Sequence, residues 1–168
     1  MLLNRETELL PPEILTPHPR NARRGNVDAI AESIRRVGFY GAVIAQRSSG
    51  FVVAGNHRVR AAIAAGLEEI PVTWIDVDDE TALRILLADN RSSDLATYED
   101  GTLAELLSEL ALTESALAGT LYDPEDLDRL VAALAPPTPP EGFASYGEEL
   151  ATAYRCPKCS YEWNGKPR

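Results

Sequence analysis

The segment VVAGNHRVRAA (residues 52–62) sets an apolar run, a glycine and then Asn56, His57, Arg58 and Arg60 where a strand pattern gives way to a helix pattern. A helix start presents unpaired backbone N–H groups and the positive end of the helix dipole, which suits an anion. Gly55 lets the backbone come close to that anion. Two guanidinium groups and an imidazole beside it match the oxygens of a phosphate. The chemistry written here is phosphate binding by Gly55, Asn56, His57, Arg58 and Arg60. The competing reading is a surface helix start whose arginines are merely solvated. His57 favours the anion, because a histidine inside a basic helix start would be awkward without one.

The elements that must hold this segment follow from periodicity. PEILTPHPRNARRGN begins as a short strand candidate and becomes a Pro/Asn/Arg loop. Asn26 caps a helix at 28–37, with Ile30, Ile34 and Val37 on one face and Gly38 as its stop. AVIAQR (42–47) and FVVA (51–54) read as strands joined through Ser48, Ser49 and Gly50. A helix of small residues then runs to Gly66, and IPVTWIDV (70–77) is a further strand. Asp78 or Asp79 opens a helix ending near Asn90. GTLAELLSELA, ESALAGTLY and PEDLDRLVAAL continue as helices, the last with Pro124 in its first turn. The pattern predicts an α+β chain: a small mixed-sheet domain at 1–95, an acidic helical subdomain at 96–134, a Pro-rich linker at 135–142 and a CxxC tail at 143–168. Leu103–Leu110 and Leu127–Leu134 are apolar helix faces that pack against each other or the body.

Net charge is −10 over 168 residues, and its distribution says more than its sum. Residues 1–60 carry +4, residues 61–150 carry −17 and residues 151–168 carry +3. A basic front and an acidic back fit an anion pocket better than a long nucleic-acid track, although the acids also serve simply to solvate the later helices. The N-terminus is too short and acidic for a secretory signal, and no apolar run reaches the length of a membrane span. The expectation is a cytoplasmic protein with no membrane partner.

The order of HPRNARR, a helix, GF, two strands, GNHRVRAA and GLEEIPV resembles the ParB N-terminal domain of the ParB/sulfiredoxin superfamily. The likeness covers roughly residues 9–95. GNHRVRAA is similar to the family's phosphate box, HPRNARR to its arginine-containing first box and LADNRSSDL to its ENxxR-type box. The text from LADNRSSDLATYED to YDPEDLDRL resembles a branch found in phages and beside DNA methylases. The resemblance implies binding of a nucleoside triphosphate, CTP or ATP, with magnesium held by Asp89 and Asn90. From the residues alone, Asn90 reads equally as the C-terminal cap of its helix. Arg23 is the choice for a second arm on the phosphates or base, and Arg24 reads as a solvated loop charge. His18 reads as structural or exposed.

Turnover would make the chain an NTPase, and His57 and Asp89 are the candidate catalytic groups near the site. Two departures from the family matter. Asn56 stands where sulfiredoxins carry their catalytic cysteine, so the thiolate nucleophile is missing. The helices after the nucleotide box are acidic and would repel DNA phosphates, unlike the helix-turn-helix of partition proteins. The implied setting is phage or mobile-element DNA metabolism, segregation or modification, with DNA, a DNA-modifying enzyme or a second copy as partner. Rival readings are a nucleotide-switched adaptor, a nuclease and a phosphotransferase.

The two cysteines, Cys156 and Cys159 in YRCPKCSYEW, resemble half of a zinc ribbon. A structural zinc wants four ligands and this motif supplies two. Either a second chain brings the others, or the tail is a remnant.

Overall fold

Strict alternation along the strands decides how the molecule is layered. The computed structural model describes residues 3, 5–136 and 153–164. β1 (Arg5–Leu10), β2 (Thr16–Pro17), β3 (Val43–Gln46), β4 (Phe51–Ala54) and β5 (Ile70–Ile75) form one sheet in the order β1-β5-β3-β4-β2. The β1/β5 and β3/β4 pairs are antiparallel, whereas β3/β5 and β2/β4 are parallel. This is the mixed sheet of the α+β expectation.

Val43, Ala45, Val52, Ile70 and Val72 point to one face, where Val59 and Ala62 of α2 (Asn56–Ala65) cover them. Val53 and Ile75 point to the other face and meet Ala82 of α3 (Asp79–Leu95). Residues adjacent in β4 thus feed opposite layers, as the two-residue period of a strand requires. α1 (Val27–Val37) lies outside α2, joining Ala31 and Ile34 to Ala61. The alanines of α2 are what allow α1 and the sheet to approach it from two sides. Full burial of Val59 alone contributes on the order of 2 kcal/mol.

The first compact unit runs through Ala135 and includes α4 (Asp100–Ala111) and α5 (Pro124–Leu134). Ser33 of α1 donates to the carbonyl of Gly119 at 2.6 Å, which ties the segment between α4 and α5 to the body. The second unit, from Pro136, contains the hairpin of β6 (Tyr154–Arg155) and β7 (Glu162–Trp163). Most of the predicted linker and residues 143–152 of the predicted tail lie outside the described residues.

The structure adds one strand that the sequence analysis did not assign and corrects two expectations. RETELL forms edge strand β1, which its mostly exposed, polar residues did not announce; it is recruited by pairing with β5. ESALAGTLY is a run of turns, not a helix, with Ala116 and Leu121 at positive φ. The helix opened by Asp78 continues to Leu95, so Asn90 lies inside α3 and is not its cap.

His18 is only 9% exposed. Its Nδ1 accepts from the backbone N–H of Arg20 at 3.1 Å, and its ring meets Phe51 edge-on at 5.4 Å. Burial, and then the positive charge of Arg20, hold the imidazole below its ordinary value of 6.5. The folded state therefore binds fewer protons than the unfolded chain in this window. The stabilisation is complete above 6.5 and is lost as pH falls through and below it. The carboxylates of Asp78 and Glu99 are lowered chiefly by hydrogen bonds from Thr81 and Thr102, so their contribution is lost only at more acidic pH.

Two outcomes follow from this packing. Gly55 has φ +90°, and a Cβ there would sit 2.9 Å from Val43 Cγ1. Gly55→Ala is expected to destabilise the chain by roughly 2 kcal/mol or more in urea unfolding. In urea titrations between about pH 7.5 and about pH 5.5, the wild type should lose stability on acidification. His18→Asn, which keeps an acceptor near Nδ1 but does not titrate, should lose less.

Candidate phosphate-binding site

Four of the five α-helices among the described residues begin with a side-chain cap. Asn26, Asp78, Glu99 and Asp123 accept from Ala29, Thr81, Thr102 and Asp126 N–H respectively, and each of those helices carries acid in its first turn. α2 has neither. Its N-cap is Gly55, in the left-handed region, with no side-chain bond and no acidic residue following. Its first N–H groups are consequently left without the side-chain acceptor and negative charge that the other helices supply for themselves.

The first residues of α2 line a cleft of about 270 Å³ together with Asn21, Arg23, Ile30, Gly55, Asp89, Asn90 and Ser93; Asn56, His57 and Arg58 are the α2 members. The structure thus assembles almost the whole predicted set from four segments: the HPRNARR loop, α1, the β4–α2 elbow and α3. Arg58 reaches toward Gly41, where a Cβ would lie 3.3 Å from its Nη1. Arg60 does not join the cleft: it is exposed, and two residues along a helix from Arg58 it points elsewhere.

Two residues read from sequence as anion ligands also have structural partners. Asn56 is 5% exposed, and its Oδ1 accepts from the backbone N–H of His18 at 2.7 Å. It ties the first loop to α2 through its side chain, leaving its position at the head of α2 as its link to the cleft. His57 Nε2 accepts from the backbone N–H of Gly25 at 2.9 Å. This bond commits Nε2 to the first loop, so His57 acts as a strut between that loop and α2. Gly25 lies so flat against the ring that a Cβ there would be 2.9 Å from His57 Cγ. His57 is thus accommodated at a basic helix start by a backbone amide 32 residues away, without calling on an anion.

Arg23 is engaged as well. Its Nη1 donates to the carbonyl of Asn90 and pairs with Asp94 Oδ1 at 3.1 Å, while Asn90 Nδ2 donates to Asn21 Oδ1 at 3.1 Å. The loop and α3 are thereby latched across the cleft. Both ionic side chains of the Arg23–Asp94 pair are substantially exposed, so the pair contributes under about 1 kcal/mol and can yield to a stronger anion. Asn21 and Ser93 were not singled out from sequence. Asn21 lies in the quoted HPRNARR box, but neither residue carries a charge to draw notice.

A second cavity, also about 270 Å³, shares Ile30 and Arg58 with the cleft and is otherwise lined by Ser33, Ile34, Gly38, Phe39, Tyr40 and Leu121. It is apolar where the first is polar. In the second unit, both thiols are free. The Cys156 thiol lies below its ordinary range, chiefly because the backbone N–H groups of Lys158 and then Cys159 point at its sulfur.

A family model described as the ParB N-terminal domain matches residues 4–91. Residues of the chain are 36% identical over 118 positions to a probable plasmid-partitioning protein ParB of Thermus thermophilus, covering 67% of this chain and 40% of that protein. A probable chromosome-partitioning protein ParB of Treponema pallidum is 39% identical over 88 residues, covering 48% of this chain and 27% of that protein. The chain therefore spans less than half the length of these curated relatives. Among solved structures, the C-terminally truncated chromosome-partitioning protein ParB of Caulobacter crescentus complexed with CTP-γ-S superposes with a TM-score of 0.65 at 26% identity, covering 79% of this chain and 80% of that one. The matched residues span the sheet, the uncapped α2 and most of α3, and on that basis the chain belongs to the ParB N-terminal domain family.

Proposed function

We propose that this chain binds a nucleoside triphosphate, CTP in the first instance, with its phosphates on the N-terminus of α2. The observation that carries this reading is the missing cap: among the described α-helices, α2 alone begins without a side-chain acceptor or an acid, and it begins in a cleft lined by two arginines. An anion at that point would complete the helix as Asp78 completes α3. The adjoining apolar cavity, with Phe39 and Tyr40 in its wall and Arg58 at the junction, offers a recess for the base and ribose. The CTP-γ-S complex of the Caulobacter protein, whose fold this chain shares, supports CTP over other nucleotides.

The residues present fit magnesium only as a companion of the nucleotide. Asp89 is the carboxylate on the cleft wall, and no group of three or more His, Cys, Asp or Glu gathers to hold a metal among the described residues. Magnesium is commonly bound by one or two carboxylates together with phosphate oxygens, and Asp89 with Asn90 would supply the protein's share. The same absence of a carboxylate cluster lends no support to a nuclease. A role in DNA segregation or modification, in the phage or mobile-element setting, belongs to this reading through the family, with nucleotide as the controlling ligand.

Calorimetric titration with CTP, ATP, GTP and UTP in the presence of magnesium tests the proposal. One nucleotide is expected to bind saturably, and Arg58→Ala to weaken it roughly 10- to 100-fold through loss of charge-assisted hydrogen bonds. No binding of any nucleotide would overturn it. For turnover, His57 is the poorer base because Gly25 already occupies its Nε2. Phosphate release at saturating nucleotide is expected to survive His57→Gln, which keeps an acceptor for Gly25, and to fall in Asp89→Asn.

A further inference from the structure

The CPKC turn belongs to neither the sheet nor the phosphate cleft, and it is built with care. β6 and β7 pair antiparallel, and the turn between them is closed by Cys156 N–H to the carbonyl of Tyr161 at 2.8 Å and Ser160 N–H to the carbonyl of Cys156 at 2.9 Å. Ser160 takes φ +61°, a conformation that normally falls to glycine. The result is a tight loop that carries both free cysteines in the turn between the two strands.

We propose that Cys156 and Cys159 form half of a tetrahedral zinc site, completed by the same two cysteines of a second copy of this chain. Zinc in structural sites takes four ligands drawn from cysteine and histidine. The chain contains two cysteines and two histidines. Both histidines belong to the first unit, where His18 Nδ1 accepts from Arg20 N–H and His57 Nε2 from Gly25 N–H. No third ligand joins the cysteines among the described residues. A second copy brings two identical cysteines, held in the same turn, about a two-fold axis, the commonest symmetry of homo-oligomers.

Charge and surface favour that partner. Zinc with four thiolates carries a net −2, and each copy brings Lys158 between its two cysteines to offset it. Beside the turn, Tyr154 and Tyr161 stack on Trp163 with ring centres 5.8 and 6.3 Å apart and interplanar angles of 21° and 12°. Tyr161 is 68% exposed, so each copy presents an aromatic platform at the edge of the proposed junction. Pieces of chain below about 40 residues usually need a metal, a disulfide or a partner to be stable. The shared site supplies both.

The test uses the full chain, stripped of metal, kept reduced and free of nucleotide, so that its result does not depend on the cleft. Zinc or cobalt is added, and the metal-to-chain ratio, the cobalt spectrum and the mass by sedimentation are measured. The expected result is one metal per two chains, the absorption of tetrahedral cobalt bound by four thiolates, and metal-dependent pairing. The double variant Cys156→Ser with Cys159→Ser should take up no metal and stay unpaired by it, while the unfolding transition of the first unit is unchanged. One metal per chain, a cobalt spectrum with fewer than four thiolates, or no uptake against a weak chelator would overturn the proposal. If the chain already pairs through another surface, the metal ratio and the cobalt spectrum still decide.

Discussion

The structure turns on how the start of α2 is held. Gly55 ends β4 and begins the helix in a backbone conformation that places its Cα against Val43, so the helix N-terminus is anchored directly to the central strand of the sheet. The next two residues then fasten the preceding loop. Asn56 receives the His18 N–H and His57 receives the Gly25 N–H, pinning both ends of HPRNARRG to the helix start. The side chains at N1 and N2 of α2 are thus used to accept from a loop, and the N–H groups of the helix itself remain to be satisfied from outside. That division of labour makes the site: the polar groups that could have capped α2 are spent elsewhere, and the cleft in front of it is left electropositive.

The rest of the molecule follows from this anchor. Because α2 sits over β3, β4 and β5 with a face of small residues, α1 can close over it, and Ile30 of α1 reaches the edge of the cleft. α3 packs on the opposite face of the sheet through Ala82 and Ile85, yet it extends far enough to return Asp89, Asn90 and Ser93 to the same cleft. Residues 91–95 are all exposed, and their tie to the body is the Arg23 and Asn21 latch. An anion that recruited Arg23 would compete with Asp94 for it. The far end of α3 is therefore the part of the first unit whose support is most directly linked to the charge state of the cleft.

Much of this was legible in the amino-acid order because it is local. The Asn26 cap, the Gly38 stop, the Ser48–Gly50 hairpin and FVVA as a strand depend on side chains and turn geometry within a few residues, and the structure has them at nearly the expected places. What was left unread or misplaced depended on distant partners. RETELL lacks an apolar pattern and becomes a strand only because β5 offers an edge to pair with. α3 passes the expected end at Asn90 because no proline or glycine stops it and the first loop braces its last turns.

The same divide runs through the site. By itself the sequence determined the elbow: a glycine, an uncapped helix start without acid, and Arg58 one turn into it, since all of these lie within four residues of chain. The tertiary structure decided what the neighbouring polar residues do. Asn56 and His57 have side chains chemically suited to an anion, but hydrogen bonds to His18 and Gly25 commit them to the loop, and helix geometry turns Arg60 away from the cleft. Residue type states which bonds a group can make; only the fold, by bringing amides from 32 and 38 residues away, settles which of them it does make.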